Sequence, residues 1–538
     1  MVMKIKTNKF FNIFLLVILV ISISIRFNLN DRPIQFNEGT YAYIADKMLN
    51  EDMDYLDIYD SKPPGIYYLF MFFMRIFGNE STSFHLVTVI SDIFIILLIY
   101  LIALKLFSHK TALFSSSIYS ILYTSYTVSM GGFLEPPMMA FTLICVYFYL
   151  SGIDSNKLYY FLFAGFFLGI SFMIKQPAII FFMTVLIHLS LKVYLNHSNI
   201  KYAMLSFFTF VIGFFLFTMP IIILIIKANK FEKYIFSVFY SSFGYGPGFI
   251  MKILRSLDYI FLTIPFFAIL SLISIIVLFK FIRKKKIIFL YSWLIPIIIF
   301  LILASDFQPH YLIQIIPVSS IFVTLLFSKM IILKPRLWNI SVILIICLFV
   351  VNISYIIFEQ GMLRSIPIQE QEEYTIGLRM WEKRYIYRFF FKMFIPKDAK
   401  PGDYDIPVNL LSKHRLTLIF TNIHQQKRTA EYLKKNMDPS DKLITITPGY
   451  AYLANKTNNY KFLWINPMIA RITDISDFAQ YASDSKYFLF EYWQEEQGHI
   501  PKSFLDCIKE NWELIESIDN WHTHVYKNTD SEVCRNIW

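Results

Sequence analysis

The sequence predicts an α-helical polytopic membrane protein with a C-terminal α/β domain, and three observations predict it. Apolar residues make up 56% of the chain and mean hydropathy is +0.50, beyond what soluble globular chains carry. Up to about residue 357, apolar runs of roughly membrane-spanning length alternate with short polar connections. From Phe358 to Trp538 the chain turns polar and is long enough to fold by itself. A net charge of +11 is compatible with nucleic acid as a partner. The cations, however, sit in short loops between apolar runs, where they orient a chain in a bilayer, and no basic-aromatic stripe accompanies them. Nucleic acid is therefore excluded as a partner.

Phe10 to Ile25 is apolar, follows Lys4, Lys6 and Lys9, and lacks a small-residue cleavage site. That reads as a retained signal anchor with a cytoplasmic N-terminus. The next stretch, residues 26–83, is the first outer loop, and between Asp31 and Asp60 it carries eight carboxylates. Within it, Asn37 to Leu49 reads as an amphipathic helix with Tyr41, Ile44, Ala45, Met48 and Leu49 on one face, an acidic helix lying on a membrane surface. Gly65 to Gly78 is apolar but shorter than the roughly 20 residues a span requires, so it reads as a re-entrant or interfacial helix started by Pro63-Pro64.

Later candidate spans are residues 84–107, 111–130, 135–151, 158–174, 177–195, 203–226, 257–281, 287–304, 310–328 and 336–357, about eleven in all with the first. Alternation then puts Lys105/Lys110, Lys157, Lys192/Lys201, Arg283 to Lys286 and Lys329/Lys334/Arg336 in the cytoplasm, so every strongly basic short loop lands inside. Counting 65–78 as a span would destroy that agreement. The outer face then holds the acidic loop, Gly131 to Glu135, Lys175 to Pro177, Lys227 to Ser256, Ser305 to Pro309 and the tail. In residues 358–538, Arg428 to Asn436 reads as helix, and Lys442 to Thr447, Lys486 to Phe490 and His524 to Tyr526 as strands: an extracytoplasmic α/β domain. It has no glycine-rich phosphate loop and is assigned no catalysis. Cys145 and Cys347 read as packing residues, while Cys507 and Cys534 can pair in an oxidising compartment, although spacing alone does not prove a bridge.

Candidate chemistry gathers at the outer ends of spans, where ionisable residues in membrane proteins usually serve function. Glu38, Asp57, Asp60 and Lys62 stand in the acidic loop. A carboxylate there can deprotonate an acceptor or hold a divalent cation, and a lysine can neutralise a phosphate. The plainer account is that Asn37 caps a helix, Glu38 favours its positive end and the aspartates are solvated. Glu135 precedes Pro136-Pro137 at a helix start, Lys175 precedes Gln176-Pro177, and His310 and Gln314 share a helix face; each also has an ordinary interfacial explanation.

The order of these blocks is more informative than any one of them. NEGTYAYIADKML, then DYLDIYDSKPPGIYYLFMFFMRIFG, resembles the first outer loop of GT-C membrane glycosyltransferases, most of all the protein O-mannosyltransferase and aminoarabinose transferase group and its bacterial relatives. GISFMIKQPAI (Gly169 to Ile179) and QPHYLIQIIP (Gln308 to Pro317) resemble two further blocks of the same group. The resemblance implies sugar transfer, with inversion, from a polyprenyl-phosphate donor to an envelope acceptor (protein, lipid or glycan) at the extracytoplasmic face of the cell membrane. By position it puts Asn37 and Glu38 in the catalytic loop motif, makes Glu135 a second acidic residue, and sets Lys62, Lys175, Tyr311 and Gln314 near the donor phosphate. Asp60 and His310 are the positions for a divalent metal, should one be used. The group usually has aspartate where this chain has Asn37, and an amide takes no proton at neutral pH, so Glu38 or Glu135 is left to supply the base. Two other functions stay open: a transporter or lipid-linked-sugar flippase, and an inactive glycan-binding relative. Against the first, the charges gather at one face rather than near mid-membrane.

Overall fold

A computed structural model describes residues 9–26, 36–51, 57, 60–78, 81–122, 133–239, 265–303, 309–333, 423–438, 440–445, 448–455, 484–491, 502–518 and 523–529, some at element ends by their backbone alone. The chain divides into two compact units, residues 1–29 with 61–356 and residues 30–60 with 357–538. The sequence reading places all of residues 26–83 in the membrane part and the boundary at 357. Contacts instead group residues 30–60 with the C-terminal unit.

The helices are α1 (Lys9–Arg26), α2 (Phe36–Asn50, in the second unit), α3 (Gly65–Phe77), α4 (Ser81–Leu106), α5 (His109–Ile121), α6 (Glu135–Ser155) and α7 (Leu158–Ile174). A 3-10 turn at Gln176–Ile179 leads into α8 (Ile180–Tyr194), followed by α9 (Ile200–Lys227), α10 (Phe231–Val238), α11 (Pro265–Phe279) and α12 (Lys285–Leu303). A second 3-10 turn, Pro309–Gln314, precedes α13 (Ile316–Leu333). Among the described residues five helices are long and apolar enough to cross a membrane: Thr82–Leu106, Glu135–Ser155, Gln176–Tyr194, Ile200–Lys227 and Lys285–Ile302. Ile13–Ser24, Gly65–Phe77, Leu158–Ile174, Phe267–Phe279 and Ile316–Ser328 are shorter apolar helices. The predicted span at 336–357 lies outside the described residues.

The first unit is held together as membrane bundles are, by close backbone approach and by hydrogen bonds between helices. A Cβ on Gly165 of α7 would sit 1.9 Å from Phe210 O of α9, so no larger residue fits that crossing. Thr142 of α6 meets Ser171 of α7 at 2.8 Å, and Ser115 of α5 donates to Thr324 of α13 at 3.2 Å. At the end of α1, fully buried Arg26 lies 2.8 Å from Asp92 of α4, bonds Ser22 Oγ at 2.7 Å and donates to Ser120 O. The Tyr119 hydroxyl donates to the other Asp92 oxygen at 2.7 Å. An ion pair is tolerated in such a setting when hydrogen bonds support both partners, as Ser22 and Ser120 do for Arg26 and Tyr119 does for Asp92.

In the second unit α2 is not the surface helix the sequence predicts: Glu38 to Ala45 are buried on every face. Tyr41 and Tyr43 point to opposite sides, and the small Gly39, Ala42 and Ala45 between them let neighbours approach all round. Downstream lie α14 (Ile423–Asn436), β1 (Leu443–Thr445), α15 (Pro448–Ala454), β2 (Tyr487–Glu491), α16 (Lys502–Asn511), β3 (Glu513–Ile518) and β4 (Thr523–Lys527). The sheet order is β1-β2-β4-β3, with β1 and β2 parallel and the other pairs antiparallel. The three predicted strand runs each overlap a strand, and β3 is additional. Leu443, Ile444, Phe488, Leu489, Leu505, Ile508 and Val525 form its core, and α2 packs on α15. Cys507 is disulfide-bonded, while its predicted partner Cys534 lies outside the described residues.

Candidate functional site

Three predicted residues, separated widely in sequence, meet in the first unit. Glu135 opens α6, with prolines in the first turn that fix the backbone there without requiring donors. Its carboxylate is ion-paired through Oε1 with Lys175, and His310 Nε2 lies 3.5 Å from the same oxygen. Lys175 sits in extended conformation just after α7, where the following 3-10 turn through Pro177 reverses the chain. Its ammonium lies 4.7 Å from the Tyr311 ring centroid, a cation–π contact. The imidazole of His310 stacks on Phe133 with centroids 4.4 Å apart and meets Tyr311 edge-on at 4.7 Å. Glu135 is 1% exposed and Lys175 8%, so this is an aromatic-walled charge cluster shielded from water.

The electrostatics follow from that shielding. Burial, the largest single influence, pushes Lys175 down, but the Glu135 carboxylate and Tyr311 together outweigh it and raise the lysine above its usual range, keeping it cationic. Burial pushes His310 down to about 4; Glu135 opposes this, and Lys175 and Lys62 reinforce it. His310 is thus neutral at pH 7. Glu135 Oε2 is buried and makes no hydrogen bond among the described residues.

Lys62 is half-buried close enough for its charge to act on His310, and it bonds Ser61 Oγ at 2.6 Å. Its placement depends on Gly65: a Cβ there would lie 2.5 Å from Met173 O, so only glycine lets α3 start against the end of α7. Gln176 Nε2 ties the arrangement by donating to Ser61 O and Val238 O, each at 2.8 Å. Sequence reasoning did not single out Phe133, Gly65 or the tether role of Gln176. The KQP and KPPG strings were visible, but which backbone each braces was not.

Gln314 follows His310 by one turn, yet lines a small cavity of about 20 Å³, room for little more than one water, with Met138, Thr142, Pro177, Thr184 and Trp293. Gln314 Nε2 and Thr184 Oγ1 are buried there with no hydrogen-bond partner among the described residues. The cavity adjoins the charge cluster: Met138 lies one helical turn after Glu135, and Pro177 two residues after Lys175. Glu38 and Asp60 belong to the other unit, where Glu38 is fully buried in the first turn of α2 and Asp60 is half-buried. Asn37 starts the same helix, but its side chain lies outside the described residues.

For a divalent metal the cluster offers too little. Among the described residues no three His, Cys, Asp or Glu side chains converge, and the shared carboxylate of Glu135 already carries the Lys175 ammonium. Divalent cations of this kind take more oxygen or nitrogen donors than His310 and one remaining carboxylate oxygen supply. These residues do not fit a metal.

Residues 61–224 match the family described as Dolichyl-phosphate-mannose-protein mannosyltransferase, a stretch that includes Lys62, Glu135 and Lys175. No curated protein sequence matches the chain significantly. Among solved structures, ArnT from Cupriavidus metallidurans bound to undecaprenyl phosphate is similar with a TM-score of 0.62 at 14% identity, over 97% of each chain. The archaeal oligosaccharyltransferase AglB from Archaeoglobus fulgidus, in complex with an inhibitory peptide and a dolichol-phosphate, is similar with a TM-score of 0.52 at 12% identity, over 90% of this chain and 70% of that one. A further structure of the Archaeoglobus enzyme, a complex with Zn and sulfate, gives 0.52 at 13% identity, over 96% and 73%. This chain is a multi-pass membrane protein with the GT-C fold of ArnT, and over residues 61–224 its sequence is similar to the protein mannosyltransferases.

Proposed function

We propose that this chain is an integral membrane glycosyltransferase that moves a sugar from a polyprenyl-phosphate donor to an acceptor of the cell envelope, on the extracytoplasmic face of the cell membrane. The observation that carries the reading is the buried Lys175 cation, held by Glu135 beside neutral His310 and over Tyr311. In the reaction the acceptor oxygen or nitrogen attacks the anomeric carbon from the face opposite the phosphate. The carbon–oxygen bond to the phosphate breaks, its electron pair stays on the lipid phosphate, and the sugar is transferred with inversion. A preorganised cation in a water-poor site stabilises the charge released on that oxygen, and removing one such group typically lowers turnover about 10²–10³-fold. Lys62 supplies a second cation, and the neutral imidazole of His310 a hydrogen-bond donor.

Glu135 is engaged by Lys175, so its proposed role is to position that cation. For the base that takes the acceptor proton we propose Glu38, on the resemblance of its NEGTYA motif to the catalytic loop of the family. The metal expected at Asp60 and His310 enters no step. An Archaeoglobus fulgidus oligosaccharyltransferase is described in complex with zinc, but the donor set around Glu135 does not fit one.

The test is transfer by the full-length protein in proteoliposomes supplied with polyprenyl-phosphate sugars, read as lipid phosphate released and sugar gained by acceptor. Comparative mass spectrometry of envelope glycans in wild-type and deletion strains identifies which sugar and acceptor to supply. The expected result is release by wild type and loss of about two orders of magnitude with Lys175→Ala. A deletion strain with no change in any glycan or lipid-linked sugar pool, together with no release in vitro, would sink the transferase reading and favour solute or lipid transport.

A further inference from the structure

The opposite end of the first unit holds a second charged arrangement that sugar transfer does not use. Helices α8 and α12 run antiparallel, and their register is fixed by contacts along the seam. Thr184 and Trp293 line one pocket, and one turn farther His188 meets the Phe289 ring with centroids 5.3 Å apart. The Tyr149 hydroxyl of α6 fixes that level, meeting His188 Nδ1 at 2.7 Å. One more turn down the seam, four residues after His188 and four before Phe289, Lys192 faces Lys285.

Lys192 is 7% exposed, and its side chain makes no hydrogen bond or ion pair among the described residues. The nearby carboxylate is Asp154 at the end of α6, and it is paired with Lys105 of α4 at 3.1 Å. Lys286 lies over the Phe107 ring, 5.8 Å from its centroid, so the same end gathers cations from α4, α8 and α12 around one anion. The first turn of α12 adds the positive end of a 19-residue helix. A buried lysine facing a second lysine is unfavourable unless an anion joins them. The same corner is bounded by exposed apolar side chains, Leu186 at 45% and Tyr194 at 80%.

We propose that Lys192 and Lys285 bind the phosphate headgroup of an anionic phospholipid from the leaflet at this end of the bundle, with its acyl chains along the exposed face of α8. The occupant is a lipid rather than free phosphate because the cations sit at the rim of an apolar, bilayer-facing surface. The headgroup bridges α8 to α12, and those two helices line the pocket under the Glu135 cluster, so occupancy also braces the pocket.

The test is native mass spectrometry of the full-length protein in detergent, titrated with short-chain phosphatidylglycerol and, in parallel, the matching phosphatidylcholine. Phosphatidylglycerol should be retained in preference, and Lys285→Gln and Lys192→Gln should each weaken it about fivefold, the worth of one surface cation toward an anionic headgroup. Lys192→Arg should keep it, and Lys110→Gln, an exposed lysine near the same end, should change nothing. Because Lys285 is exposed, its variant folds and remains informative even where Lys192→Gln does not. Equal retention of the two lipids, or wild-type retention by Lys285→Gln, overturns the proposal. Displacement by inorganic phosphate as readily as by lipid also overturns it.

Discussion

Replacing Glu135 with Gln leaves Lys175 buried without its counter-ion, and the structure sets the size of the effect. Both side chains are nearly fully buried, so the loss falls in the range for breaking a buried pair, about 3–5 kcal/mol. The Tyr311 ring, 4.7 Å from the ammonium, is in contact in both proteins and so cancels in the difference, leaving an expected destabilisation of about 3–5 kcal/mol. Lys175→Met alone leaves the carboxylate with neutral His310 at 3.5 Å as its remaining described partner, a loss of similar size. The double variant carries neither charge, so its destabilisation should be smaller than the sum of the singles by about 2 kcal/mol. Thermal melts of the four proteins in one detergent at one scan rate give the cycle. Adding undecaprenyl phosphate sharpens it: if Lys175 holds the donor phosphate, that anion replaces Glu135. Ligand at about 100 times its Kd should then raise Glu135→Gln by about 2.7 kcal/mol or more, and leave the double variant almost unmoved. Additive melts within about 0.5 kcal/mol, or equal rescue of both variants, refute the reasoning.

Three further outcomes are expected. Gly65→Ala forces a Cβ to 2.5 Å from Met173 O, so α3 must shift; the KM for donor should rise with Lys62 displaced, and melts should fall by about 1–3 kcal/mol. His310, pushed to about 4 in the folded chain against about 6.5 unfolded, contributes stability that is complete above pH 6.5 and lost as pH falls through 4. Wild type should therefore lose up to about 3 kcal/mol over that window relative to His310→Gln, read from melts against pH. Glu38→Gln should lower kcat about 10²–10⁴-fold with the donor KM unchanged, and Asn37→Asp should restore part of that loss by returning a carboxylate to the motif. An unaltered kcat in Glu38→Gln would move the base elsewhere.

Much of the first unit was legible because membrane spans and short basic loops leave strong, local signals. Glu135, Lys175 and His310 were legible as isolated ionisable residues at span ends, and their order carried the resemblance. Their union was not, since nothing local says that the end of α7 and the turn before α13 converge on the start of α6. Gln314 shows the same limit: one helical turn beyond His310, it faces an apolar pocket rather than the charges. The burial of α2 was misread because a helix with tyrosines on two faces and small residues between scores as amphipathic whichever face is chosen. Strand β3, ELIESI, was passed over because its glutamates broke the apolar alternation.

The Arg26 network has a consequence for how this protein is made. α1 is made before α4 and α5, and its last residue carries a guanidinium whose carboxylate lies on α4 and whose carbonyl acceptor at Ser120 arrives 94 residues later. Until those parts are synthesised, that end of α1 cannot leave the aqueous or protein-lined path of insertion without stranding a charge in lipid. The nascent chain is therefore expected to keep α1 waiting beside the insertion machinery until α4 and α5 emerge, so that three helices are released as one group.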